Sequence, residues 1–185
     1  MAFLLRIIGS RRLWFDPLGD WLPPNKVVAD VFHRGLRTTE GNLSTYFVAV
    51  DNYQNNVEDP PEVERIVAAY ACTRNKIQNV DFVMIPTDAL EATGLEYKES
   101  DGNTADDAVN SWHRDIIELS TEKLSRFAEL ILSFEQFSKR VGEKRIDEFV
   151  KSGIKQGNID PNAIDIQLRD KFLKQKFLNV CYRSD

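Results

Sequence analysis

The chain has 185 residues, of which 42% are hydrophobic and 10% aromatic, and 29 acidic against 24 basic side chains give a formal net charge of −5. A chain of this size buries roughly 70% of the surface its unfolded form exposes, so it holds a core without staples, and the composition excludes a wholly disordered polypeptide. The acidic balance opposes phosphate backbones and disfavours nucleic acid as a partner, while two cysteines, Cys72 and Cys181, without a CxxC pair, provide neither a disulfide framework nor a zinc site.

Phe3 to Ile8 is a β-compatible apolar run bounded by Gly9-Ser10. It is too short for a secretory leader, carries Arg6 in its middle, and predicts a first buried strand. No apolar run approaches the roughly 20 residues a membrane span requires, so a cytoplasmic protein is expected. Leu13-Trp14-Phe15 predicts a second short extended piece, and the segment Asp16 to Pro24, with three prolines and a glycine, is a loop anchored by its tryptophan.

Val27 to Phe32 is too short for periodicity to separate strand from helix. Gly41-Asn42 lies between β-favouring residues and predicts a hairpin whose better strand is Leu43 to Val50. After a polar loop ending in Pro60-Pro61, Val63, Ile66, Val67 and Tyr70 share one stripe of a helix that starts at Pro61. Asp81 to Pro86 is a further apolar run. Strand, helix and strand in that order predict a crossover unit.

Thr87 opens a short helix that Gly94 ends, and Leu95 to Glu99 suits an edge strand. Beyond Gly102 the pattern turns helical, with Trp112, Ile116 and Ile117 on one stripe and Leu124, Phe127, Ile131, Phe134 and Val141 on a later one. The run is either continuous from Asp106 or broken at Ser120-Thr121, since both residues suit caps better than interiors. Ile146, Phe149 and Val150 mark a helix closed by Gly153, and Asp160-Pro161 opens a last one along Ile164, Leu168 and Phe172.

These signals predict a single α+β domain over residues 1–185. Its β-rich subregion, residues 1–100, holds a small mixed sheet of three to five short strands with a crossover helix. Its second subregion, residues 101–185, is all helical and packs on the same core.

Chemistry-bearing residues are sparse. His33 can act as acid or base beside Arg34, Arg37 and the hydroxyl of Thr38, which suit a phosphate or carboxylate. His113 lies at the margin of an apolar stripe with Ile117 at i+4, so no metal pair arises. Asp101, Asp106 and Asp107 surround Gly102 without the ligand spacing of a calcium loop, and Lys139, Arg140, Lys144 and Arg145 interleave with acids around Gly142. The nine glycines stand singly, so no phosphate-cradling loop or nucleophile elbow is spelled out.

No cofactor or metal is called for. The surface this pattern favours is the amphipathic stripe, where Phe127, Leu130, Phe134 and Phe137 spread wider than one neighbour covers. The expected function is a non-catalytic accessory or interaction protein that associates through its second half with a protein partner or another copy of itself. The rival expectation is an enzyme or sensor for a nucleotide or other phosphorylated small molecule, with His33, Arg34 and Arg37 as its site.

Overall fold

Phe3 to Ile8 is apolar at almost every position because β1 (Ala2–Ile8) is covered on both faces. Phe3, Leu5 and Ile7 point into one buried cluster and Leu4 and Ile8 into another, as the two-residue period of a strand requires. The structure, a computed structural model, describes residues 2–9, 13–23, 26–27, 29–32, 36, 38–50, 53, 58–170 and 172. Within them the chain continues through β2 (Leu43–Ala49), α1 (Pro61–Cys72), β3 (Val80–Pro86), α2 (Thr87–Ala92), β4 (Tyr97–Glu99) and α3 (Asp107–Ser111). Then follow β5 (His113–Ile116), α4 (Thr121–Ser133), a 3₁₀ turn (Glu135–Phe137), β6 (Ser138–Val141) and α5 (Glu143–Gln156).

The six strands form one sheet in the order β4-β5-β2-β1-β3-β6, and every neighbouring pair is antiparallel. β2 and β3 both run opposite to β1 and are therefore parallel to each other, so α1 is a crossover between parallel strands with β1 lying between them. Helices α1, α3 and α5 cover one face through Val63, Ile66, Val67, Val109, Ile146, Phe149 and Val150. Helices α2 and α4, with Leu13, Trp14, Val31 and Leu36, cover the other. The result is an α+β architecture of three layers.

The mixed sheet confined to the first half and the all-helical second half are both corrected. The sheet is antiparallel throughout and takes β5 and β6 from residues beyond 101. Trp112, Ile116 and Ile117 are at helical spacing in the sequence, yet α3 stops at Ser111 and His113 to Ile116 pair with β2 and β4. Ladder formation along the free edge of β2 outweighs a weak helical pattern there. Val141 counted toward the α4 stripe for the same reason, but it ends β6, opposite Val80. Neither a continuous helix nor one interrupted at Ser120 is formed, since β5 precedes it, but Ser120 does open α4: its hydroxyl accepts the Lys123 N–H at 3.2 Å.

Turn chemistry was the more legible part. The turn lies one residue earlier than the expected Gly41-Asn42: Glu40 and Gly41 have φ of 52° and 78°, and Thr39 and Asn42 exchange both backbone hydrogen bonds, which is the primed turn that leads into β2. Among the described residues the hairpin's first arm is that bridge. The second extended piece expected at Leu13-Trp14-Phe15 is not formed: Leu13 lies in a 3₁₀ turn, and the described pairing there is a bridge between Phe15 and Trp21 with the Leu22 N–H donating to the Trp14 carbonyl at 2.8 Å.

Gly153 does not close α5, which runs on to Gln156 and ends at Gly157 with φ 76°. Its lack of a side chain serves packing: a Cβ there would meet Ile159 Cδ1 at 2.6 Å and Cγ1 at 2.9 Å. The final helical residues begin at 166, past the Asp160-Pro161 signal, where Asp165 accepts the Gln167 N–H at 2.9 Å.

Gly153→Ala pits a helix-propensity gain of about 1 kcal/mol against an overpacking cost of about 1–3 kcal/mol. Ile159 is 2% exposed and has nowhere to move. A net loss of about 1 kcal/mol is expected in urea unfolding at unchanged m-value, and an Ile159→Val partner change recovers part of it.

Candidate functional site

Two helices on the same face of the sheet repeat one pattern of residues at the same offsets. Pro61, Glu64, Arg65 and Ala68 stand at i, i+3, i+4 and i+7 of α1, and Arg145, Glu148, Phe149 and Ser152 stand so on α5. The facing stripes line a cleft of about 330 Å³. Asp106, Asn158 and Ile159 line it as well, and the absent side chain of Gly153 lets Ile159 approach α5. Asp160 N–H donates to the Ala105 carbonyl at 2.8 Å and ties the loop after α5 to the entry of α3.

The cleft's charges are held in two different ways. Arg65 donates through Nε and Nη2 to both carboxylate oxygens of Asp106 at 2.7–3.0 Å, and its guanidinium lies 5.3 Å from the centroid of Trp112. Asp106 is 1% exposed and also accepts the Ala108 and Val109 N–H groups as the cap of α3, so this pair is a fixed brace. Arg145 reaches Glu64 at 3.2 Å and Glu148 at 3.3 Å and covers the Phe149 ring at 4.6 Å. Its side chain is 55% exposed. Burial holds the Glu64 carboxyl above the ordinary carboxylate range, outweighing the lowering by Arg145, with Asp59 and Glu58 adding to the rise.

A second hollow, of about 520 Å³, is wider and shallower and lies beside β6, against Trp21, Glu135 and Arg140. Trp21 Nε1–H donates to Ser138 Oγ at 3.0 Å there.

The residues singled out in the sequence are dispersed. His33, Arg34 and Arg37 lie outside the described residues, and Thr38 is half-buried next to the turn into β2. Phe127 and Leu130 are sealed under the sheet by α4. Phe134 and Phe137 are half-buried and stack on each other at 6.0 Å, where the chain passes round the β6 end from one face of the sheet to the other. Lys139, opposite Phe82, and Arg140, opposite Asp81, project to opposite faces, and Lys139 meets Asp59 at 3.0 Å. Of the three acids near Gly102, Asp106 is the brace, and Asp101 and Asp107 are exposed. Sequence reasoning missed Glu64 and Arg65. The repeated i, i+3, i+4, i+7 pattern on α1 and α5 was the available signal, and it was read for apolar residues only.

His113 projects from β5 toward Tyr46, with ring centroids 5.4 Å apart, and its Nδ1 is 2.8 Å from Ser100 Oγ. Burial lowers its pKa below the usual 6.5, against the raising influence of Asp115, and drives the Tyr46 hydroxyl up to about 12. Nearby, the ladder between β1 and β2 ends at Leu5↔Tyr46, and Arg6 donates to the Ser44 carbonyl at 2.6 Å, with burial drawing its pKa down to about 10. Cys72 is fully buried, and burial lifts its thiol to about 12, well outside the reactive range.

Among the described residues no three His, Cys, Asp or Glu side chains gather as a metal site, and no helix is long and apolar enough to cross a membrane. Comparison with known protein families, curated proteins and solved structures finds no match.

Removing the brace by Asp106→Ala leaves Arg65 without its partner and α3 without its cap, and is expected to cost about 3 kcal/mol in chemical denaturation. Asp106→Asn keeps the cap acceptor and is expected to lose less.

The depressed pKa of His113 means that the native state binds fewer protons than the unfolded one, so its contribution to stability is complete above about pH 6.5 and declines as pH falls below it. His113→Gln is expected to flatten the pH dependence of unfolding between about pH 7 and about pH 5, and an unchanged slope would show that this group is not its source.

Proposed function

We propose that this chain is a non-catalytic accessory protein that works by recognition, with the cleft between α1 and α5 as its binding surface. The supporting observation is the contrast inside that cleft. One ion pair is fixed and bidentate, between Arg65 and Asp106, while the other cation, Arg145, makes two long contacts from an exposed position over an aromatic ring. A rigid wall beside a displaceable charge is suited to admitting another molecule without rebuilding the fold.

Association with a protein partner or with a second copy of the chain belongs to this reading, as does residence in the cytoplasm. The net charge of −5 and the buried reduced thiol of Cys72 are in keeping with that compartment. Nucleic acid is a poor candidate, because the acidic chain carries Lys139 and Arg140 on opposite faces of β6.

Ser152 is exposed on the cleft wall, so Ser152→Trp fills the cleft while leaving the core intact. Light scattering on the native protein is expected to reveal a complex that the Trp variant loses at unchanged thermal stability. A strict monomer that behaves identically with and without the substitution, and purifies with nothing bound, would count against the proposal.

A further inference from the structure

Building on the reading of the α1–α5 cleft as a recognition site, we infer that it takes a primary ammonium group on an apolar stem, seated between Glu64, Glu148 and the Phe149 ring where the Arg145 guanidinium now lies. The charge inventory of the cleft points that way. Asp106 and Arg65 satisfy each other at 2.7 Å. Glu64 and Glu148 are left to share Arg145, so among the described residues the cleft lining carries one carboxylate more than its cations.

Arg145 holds that place loosely. Charge-assisted hydrogen bonds settle at about 2.7–2.9 Å, whereas both of its contacts are longer, at 3.2 and 3.3 Å. Pairs so exposed contribute little, which makes the guanidinium easy to displace. The face of Phe149, 9% exposed, already holds a cation at 4.6 Å, so the side chain of Arg145 acts as an internal copy of the ligand's head group.

An ammonium is more compact than a guanidinium and can approach both carboxylates from within the cleft. Glu64, whose carboxyl burial still holds above its ordinary range, gains from such an approach. Pro61, Ala68 and Ile159 supply the apolar lining for the stem. An anion fits less well, because turning Arg145 onto it would strip Glu64 and Glu148 of their cation while placing a third negative charge beside them.

The ammonium can belong to a free amine or to a lysine side chain of a partner, and the test separates the two. The full-length protein is titrated with phenethylamine, with phenylacetate, and with a short peptide carrying one lysine or norleucine in its place, each followed by calorimetry and by amide shifts of α1 and α5. Saturable binding of phenethylamine but not phenylacetate is expected, several-fold tighter in Arg145→Ala, about tenfold or more weaker in Glu64→Gln, and absent in Ser152→Trp. Tighter binding of the lysine peptide than of the free amine, lost with norleucine, assigns the group to a protein partner, and the reverse order assigns it to a metabolite amine. Glu148→Gln gives an independent second reading should Glu64→Gln perturb α1.

Phenylacetate binding that Ser152→Trp removes would overturn the ammonium assignment and leave the cleft as a recognition site. Amine binding that survives Ser152→Trp or Glu64→Gln would overturn it as well. Absence of saturable amine binding, free or on the peptide, in both the native protein and Arg145→Ala would do the same, and the cleft itself would then be judged by the association measurement alone.

Discussion

The architecture depends on burying β1 from both sides. A strand with apolar residues on both faces needs a layer above and a layer below, and its backbone needs ladder partners along both edges, because a buried N–H or C=O left unpaired is costly. β2 and β3 meet the second demand, and the two groups of helices meet the first. Once β2 and β3 flank β1 they are parallel, and the link between them must cross one face of the sheet. That link is α1. The same face receives α5 after β6 extends the sheet beyond β3, so the cleft between the two helices is a consequence of how β1 is enclosed.

Much of this was readable wherever local chemistry and tertiary demand agree. The apolar run of β1, the helix entered through Pro60-Pro61 and, to within one residue of the expected Gly41-Asn42, the turn at Glu40-Gly41 are each specified by a few adjacent residues. β5 and β6 are different. Each is four residues long, too short for a two-residue period to declare itself, and each contains charged side chains. They become strands because the outer edges of β2 and β3 offer partners, a cause that lies 55 to 73 residues away in the sequence. Gly153 misled for a related reason: a glycine in a helical pattern is read as a stop, whereas this one is required by Ile159, which packs against it from beyond the helix.

The candidate site was legible only in part, for a comparable reason. Arg145 was noticed as one of four clustered cations, and the sequence places them together because it counts along the chain. The fold separates them: strand alternation turns Lys139 and Arg140 apart, and the helical period carries Arg145 onto the face of Phe149. Its partner Glu64 lies 81 residues away and belongs to a helix that was read for its apolar stripe. The aromatic residues Phe127 and Phe134 drew attention as surplus apolar surface, yet α4 packs them into the cluster built by Leu4, Val83 and Ile85 of β1 and β3.

The two arginines of the cleft show how one residue type performs opposite tasks according to what surrounds it. Arg65 is clamped because its acceptor is buried, already oriented by two backbone N–H groups at the start of α3, and unable to follow the guanidinium outward. Arg145 meets one carboxylate on its own helix, Glu148, and one across the cleft on α1, Glu64, neither of them fixed by a backbone donor among the described residues, and more than half of its surface faces solvent. Water therefore competes for the second pair and scarcely for the first. The same difference that makes Asp106 expensive to remove makes Arg145 inexpensive to move, and a cleft that must hold its shape while exchanging its cation requires both.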